Sequence, residues 1–524
     1  MTQRPSVIAL GLDAMEGLLV ERLLEEGRMP NLARLRERGA YGRLRSRPAP
    51  FLSMVWPTFY TGQTLGSHGW YYNKLWSARE QLLRYVDPSW LPVRPFWDDL
   101  SGARRVTILD VPCSAVPDDS FSGTFLNGWQ AHDNFGKFAS TPGLHRRIRR
   151  QFGNPAMRAE MFGPQDVGTL QRQREQALTS LAQFASIVAD MLTSESHDLL
   201  LAVFGGVHRG THYLWSLEEA DTAGASAAEL EQLSGARDEI YQAADRAVGA
   251  VLSAVPADSH VLVFALHGMG RNHGWGERFF EIVRHLHGRG RERPPRQGAV
   301  YRIKRALPWR MVRQVTGRLP PSANHALVPF WSRGMLDWSS TRYFALPTDQ
   351  NGYIRINQRG RERQGIVNKG PELEALIDEV THDLLSLRDL RDDQPIVAKV
   401  HRIEDLVGGN APTRDVLPDL VIDWTDTYAH GSHGVRSRYG EVRWSSNDCL
   451  PSGRSGNHIE GGWLVASGPG VAKGAIEECV DSIDLVPTLL QWMGAPIPDR
   501  MEGSPLIRLV GDGSAKEQGE QATN

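Results

Sequence analysis

The chain has 524 residues, 41% hydrophobic and 23% charged, an ordinary balance for a globular protein large enough for one α/β domain with insertions. A formal net charge of -2 offers no global field for nucleic acid or an anionic membrane, so positive charge for an anionic ligand would have to be supplied locally. No run approaches the roughly 20 apolar residues of a membrane span, and Cys113, Cys449 and Cys479 lack metal-type spacing and read as thiols of a reducing cytoplasm.

The N-terminal run SVIALGLD (6–13) reads as a buried strand, not as the apolar core of a signal peptide. Residues 16–38 follow with helical spacing of Leu19, Leu23, Leu24, Leu32 and Leu35. Further Val-, Ile- and Leu-rich runs at 105–112, 198–206, 260–268, 419–424 and 463–470 have the continuous apolar character of strands covered on both faces. Helical stretches at 168–193 and 227–255 alternate with them. That alternation predicts an α/β fold with a doubly wound, mostly parallel sheet and helices on both faces. The segment 277–340 departs from it, being Arg-rich and carrying Pro294-Pro295 and Pro320-Pro321. It is either a cap or partner surface on the ligand-binding face or a solvated excursion. Residues 341–375, with YFALPTDQNGYIRIN, read as strands and turns of a small inserted element. The expected organisation is core over 1–276, an Arg-rich, cap-like insertion over 277–375, the remainder of the core over 376–510, and a polar disordered tail over 511–524.

Polar residues cluster where these strands end. Asp13 follows the first strand, His208 follows the run at 198–206, and His267 closes the run at 260–268. Open α/β sheets bind ligands at the carboxyl ends of their strands, so these side chains can converge. His208 and His212, in GGVHRGTHYLW, are four apart, which on a helix places both imidazoles on one face able to share a metal. Alone, the pair equally suits two hydrogen-bonded core histidines. His458 sits in the Gly-rich loop GRSGNHIEGG before an apolar strand, where the backbone can bend a side chain into a site. His430 and His433 read as surface residues. In PFLSMVWPTFYTGQTLGSHGWYYN (50–73), Ser53 precedes an aromatic helix; a hydroxyl there can attack phosphorus if a divalent cation lies beside it, or can serve simply as a helix cap.

Together these motifs resemble the type I phosphodiesterase/nucleotide pyrophosphatase branch of the alkaline-phosphatase superfamily over nearly the whole chain. GLDAME carries the first metal aspartate, WPTFYTG with LGSHGWYYN the nucleophile helix and His-Gly turn, and RSGNH, WLVASGPGV, DSIDLVPTLLQWMGAPIP and MEGSPL the closing pattern. The resemblance implies an alkaline-phosphatase-like fold and a metal-dependent phosphohydrolase, most simply a phosphodiesterase or nucleotide pyrophosphatase. It implies up to two divalent ions, zinc or else manganese: one held by Asp13, Ser53 and His267, the other by His208, His212 and His458. Ser53 would be the nucleophile of a phospho-enzyme mechanism and Asn73 a donor to the phosphoryl oxygens. The substrate would be a small phosphate ester or nucleotide-like molecule in the cytoplasm, with no nucleic acid or membrane partner.

Three positions depart from the family pattern. His208 stands where the family has Asp, which zinc tolerates. Leu266-His267 replaces an Asp-His pair, removing a carboxylate that His273 is the nearby candidate to replace. The interval from Ser53 to Thr61-Gly62 is one residue short, making Thr58 the alternative nucleophile. Leu266 also keeps open a second reading, a binding or regulatory protein that retains the fold with impaired catalysis. A phosphomonoesterase is a further alternative, whereas Ser53-Met54-Val55-Trp56 lacks the residues for sulfatase formylglycine formation. Trp70, Tyr71, Tyr72 and Trp76 suit stacking on a base or packing in the core equally.

Overall fold

The computed structural model describes residues 6–510 except 87–92, 101, 115–116, 118–120, 131–137, 158–162, 218–225, 289–335, 349 and 445–449. Cys449, the two Pro-Pro pairs and the tail at 511–524 lie outside the described residues.

Nine strands form the main sheet: β1 (Val7–Leu12), β2 (Ala40–Arg45), β3 (Val106–Leu109), β4 (Thr124–Asn127), β5 (Phe138–Ala139), β6 (Leu199–Phe204), β7 (His260–Ala265), β8 (Gly462–Ser467) and β9 (Gly474–Asp481). Their order across the sheet is β9-β2-β8-β7-β1-β6-β3-β4-β5. The pairs of β1 with β6 and β7, of β3 with β4 and β6, and of β2 with β9 are parallel. β8 runs antiparallel to β7 and β2, and β5 antiparallel to β4. The run expected at 463–470 is thus a central strand, but of opposite direction to its neighbours.

Side-chain alternation explains why both faces are covered. Ile8, Leu10 and Leu12 enter one hydrophobic cluster, whereas Val7 and Ala9 enter another; β6 and β7 divide their residues in the same way. Helices Val167–Ser194, Gly206–Leu214 and Ala236–Leu252 supply the first cluster. Helices Val55–Thr61, Phe96–Leu100 and Leu485–Met493 supply the second. The helical stretches expected at 16–38 and 227–255 are each divided. Gly27 takes φ 70° and Pro30 begins a new helix in the first, while Gly235 takes φ 74° in the second.

The run at 419–424 is not a strand of the main sheet. Leu420–Trp424 joins Tyr343–Leu346, Gly352–Ile356 and Val397–Arg402 in a separate four-stranded antiparallel sheet. Its core also takes in Trp275, Phe279, Leu376, Val380, Val435 and Leu450. This lobe therefore draws on residues on both sides of the boundary expected at 375. Trp70, Tyr71 and Trp76 are buried in the cluster that joins the lobe to the turn Ala49–Met54, which makes them packing residues. Among the described residues, no helix is long and apolar enough to cross a membrane.

Candidate active site

At the carboxyl ends of β1, β6 and β7, Asp13, His208, His212, His267 and His458 come together, all buried. Asp13 leaves β1 with its N–H bonded to the Phe204 carbonyl (3.1 Å), which ties it to the end of β6. β6 passes almost directly into the helix Gly206–Leu214, so that His208 and His212 lie one helical turn apart on one face. His458 belongs to the strand Gly456–Ile459, which pairs antiparallel with Gly268–Arg271 so that Met269 faces His458. That pairing sets His267 against His458, with ring centroids 4.7 Å apart.

The nitrogens of three rings converge. His208 Nε2 lies 2.8 Å from His212 Nε2 and 2.9 Å from His458 Nε2. The remaining nitrogens of two of these rings face acceptors. His208 Nδ1 is 2.7 Å from Asp13 Oδ2, and His212 Nδ1 is 2.9 Å from the Gly456 carbonyl. Both partners accept hydrogen bonds, so both Nδ1 atoms carry the proton and, in the neutral rings, both Nε2 atoms present lone pairs. Two lone pairs at 2.8 Å repel unless a cation, a proton or a metal ion, lies where they meet. Neutral imidazole is also the form that ligates metals. Burial, followed by the charges of Arg454, His208 and His458, pushes His212 well below its ordinary range. Asp13 moves down as well: burial opposes its ionisation, but the charges of His208 and His267 and the bonds from His208 and Trp56 outweigh it.

Several contributors have no signature in residue spacing. Trp56 Nε1–H donates to Asp13 Oδ1 at 2.8 Å. Its indole approaches Gly11 so closely that a Cβ there would lie 2.7 Å from the ring, so the glycine makes room for it. Gly456, whose carbonyl orients His212, is likewise pressed against the Thr211 carbonyl, 2.4 Å from where a Cβ would stand. Arg454 acts on His212 through its charge.

Ser53 is half-buried in the 3-10 turn Ala49–Met54, which continues into the helix Val55–Thr61 and packs against the strand of His458. Thr58 is engaged elsewhere, its Oγ1 3.0 Å from His68 Nε2. Asn73 precedes the strand Lys74–Ser77, and its Oδ1 is buried with no hydrogen-bond partner among the described residues. His273 does not replace the missing carboxylate: its ring stacks on Tyr428 at 5.0 Å and its Nδ1 faces the Thr427 carbonyl. Leu266 points into the apolar cluster opposite the histidines, with its carbonyl accepting from Ser46 Oγ. His433 is exposed and His430 half-buried.

The sequence matches the family described as type I phosphodiesterase/nucleotide pyrophosphatase over residues 7–428. No curated protein sequence matches it. Among solved structures, alkaline phosphatase PafA is similar with a TM-score of 0.55 at 13% identity, covering 98% of this chain and 100% of that one. Phosphonoacetate hydrolase from Sinorhizobium meliloti 1021, in complex with phosphonoacetate, gives 0.49 at 14% identity with 94% and 96% covered. An inactive variant of murine ectonucleotide pyrophosphatase/phosphodiesterase 5, in complex with AMP, gives 0.47 at 11% identity, also with 94% and 96% covered. The family match spans most of the chain, and the PafA likeness shows the same fold. The chain belongs to the type I phosphodiesterase/nucleotide pyrophosphatase family, hydrolases of phosphoric ester bonds.

Proposed function

We propose that the protein is a metal-dependent phosphodiesterase acting on a small phosphate-ester or nucleotide-like substrate through Ser53. The observation that carries this reading is the convergence of His208, His212 and His458 Nε2 atoms, with the Ser53 turn packed on the strand of His458. Three imidazoles form a donor set suited to zinc, ahead of manganese. An ion bound there would supply Lewis-acid charge to the phosphoryl oxygens.

The protein's own groups account for the rest. Ser53 Oγ forms a bond to phosphorus as the ester oxygen leaves; water then displaces Ser53, so that each turnover consumes one ester bond and one water. The Asn73 amide would donate to an equatorial oxygen. Asp13 and the Gly456 carbonyl hold two imidazoles in the tautomer that presents Nε2 inward.

Ser53→Ala is expected to abolish hydrolysis of bis(p-nitrophenyl) phosphate with metal content and fold unchanged. Wild-type rates in Ser53→Ala together with loss in Thr58→Ala would transfer the role to Thr58. The hydroxyl of Thr58, already paired with His68, makes that outcome the less expected one. Leu266, buried where the family has a carboxylate, favours a second reading, a protein that binds phosphate esters without turning them over. Ligand binding by the zinc-loaded protein without turnover of any phosphomonoester, diester, nucleotide or phosphonate would select it.

A further inference from the structure

We infer that the centre holds one metal ion rather than two, and that Asp13 positions His208 instead of ligating metal. This inference rests on the proposed metal site at His208, His212 and His458.

Both carboxylate oxygens of Asp13 are already engaged. Oδ1 accepts from the Trp56 indole at 2.8 Å, and Oδ2 accepts from His208 Nδ1 at 2.7 Å. The indole is built into that position by its seat on Gly11, and Asp13 is fixed by its N–H bond to the end of β6. A carboxylate bonded to the far nitrogen of a metal-binding imidazole is a recurrent device: it fixes the tautomer, orients the ring and raises its basicity. The Gly456 carbonyl performs the same service for His212. The three inward nitrogens are spaced for one ion: donors about 2.0–2.1 Å from a tetrahedral zinc stand roughly 3.3 Å apart, and the two closest pairs here are at 2.8 and 2.9 Å.

Among the described residues, a second ion lacks a full ligand set. His267 packs edge-on against His458, its ring 6.5 Å from that of His208, and is not among the three residues whose nitrogens converge. Leu266 supplies an alkyl group to the core. With Asp13 serving Trp56 and His208, a second ion is left with His267 and a serine hydroxyl. Zinc sites ordinarily take at least three protein ligands. The replacement of a carboxylate by His208 explains the change of role: an imidazole at 208 gives Asp13 a hydrogen-bond donor where a carboxylate would have given it a like charge to share across a cation.

The test is zinc stoichiometry and affinity on the full chain, stripped with chelator and titrated with Zn²⁺ alone. One equivalent is expected for the wild type and for His267→Ala. Asp13→Asn should still bind one equivalent, with affinity reduced 10- to 100-fold, and Trp56→Phe should give a smaller reduction. Two equivalents in the wild type, falling to one in Asp13→Asn or His267→Ala, would overturn the inference, as would no binding or an Asp13→Asn affinity equal to wild type. If Asp13→Asn fails to fold, the wild-type and His267→Ala stoichiometries decide alone. The two readings fail separately: one equivalent bound without hydrolysis of any phosphoester sinks the phosphodiesterase, and two equivalents with hydrolysis sink only the single-ion centre.

Discussion

The histidine cluster at the carboxyl ends of the central strands and the arginine network of the inserted lobe both bury charge, and they neutralise it differently. In the lobe, Glu362 accepts from Arg355 Nε at 2.8 Å, Arg361 Nε at 3.1 Å and Trp76 Nε1 at 2.8 Å. Arg361 meets both oxygens of Asp419 at 2.7 Å, and the remaining guanidinium nitrogens of Arg355 donate to the carbonyls of Leu417 and Asp415. Two buried cations thus face two buried carboxylates, with the partly exposed Arg414 a third cation 3.4 Å from Asp419. Burial alone would raise Asp419, but Arg361, then Arg355 and the Ile356 N–H, hold it at about 2. At the cluster, one carboxylate faces four imidazoles, and three ring nitrogens point at one another. The network in the lobe is complete within the chain. On the reading proposed above, the cluster takes its cation from outside the chain, which would make it a site and the lobe network architecture.

The contrast can be broken first at the lobe. Glu362→Ala leaves Arg355 and Arg361 buried beside an absent carboxylate, and removing one partner of such a group costs about 3–5 kcal/mol. Urea unfolding should show that loss while zinc bound per folded molecule stays constant. A loss under about 1 kcal/mol would mean that water replaces the carboxylate and that the lobe is not self-contained. The complementary measurement is on the cluster. Because an ion that binds only the folded state stabilises it by mass action, free Zn²⁺ at a hundred times its dissociation constant should add about 2.7 kcal/mol over the chelated protein. Unfolding that does not depend on Zn²⁺ would remove the cation from the cluster.

Five of the nine strands of the main sheet, β1, β3, β6, β7 and β8, were legible because they are continuous apolar runs bounded by polar residues, whereas β2 and β9 are only partly buried and carry no such run. The rule that ligands gather at carboxyl ends then selected Asp13, His208, His267 and, with the Gly-rich loop, His458. What the run at 419–424 could not reveal is its sheet: a short apolar run such as Leu420, Val421 and Ile422 looks alike in a parallel core and in an antiparallel insertion. Trp56 was invisible as a partner of Asp13, since 43 residues separate them and an aromatic helix reads as packing. Leu266 was legible as a loss. The contact of Asp13 with His208 was not, because the sequence carries no record of which nitrogen of His208 faces which neighbour.

His68 sharpens the comparison from a third direction, as a buried imidazole that needs no cation. Its Nδ1 accepts from the Trp70 N–H at 3.0 Å, so its Nε2 carries the proton and donates to Thr58 Oγ1 at 3.0 Å. Burial pushes it from its ordinary 6.5 down to about 3. The folded pKa lies below the unfolded one, so the unfolded chain takes up the proton first. The stabilisation is complete above pH 6.5 and declines as pH falls toward 3, where the folded protein is protonated too. At pH 5 the interval of one and a half units amounts to a loss of about 2 kcal/mol. Urea unfolding of the wild type and His68→Gln, both stripped of metal so that the cluster contributes equally, should show the wild type losing about that much more between pH 7.5 and 5. Equal pH dependence in the two proteins would mean that His68 is protonated in the fold, and that a neutral buried imidazole is not the default against which the cluster is to be read.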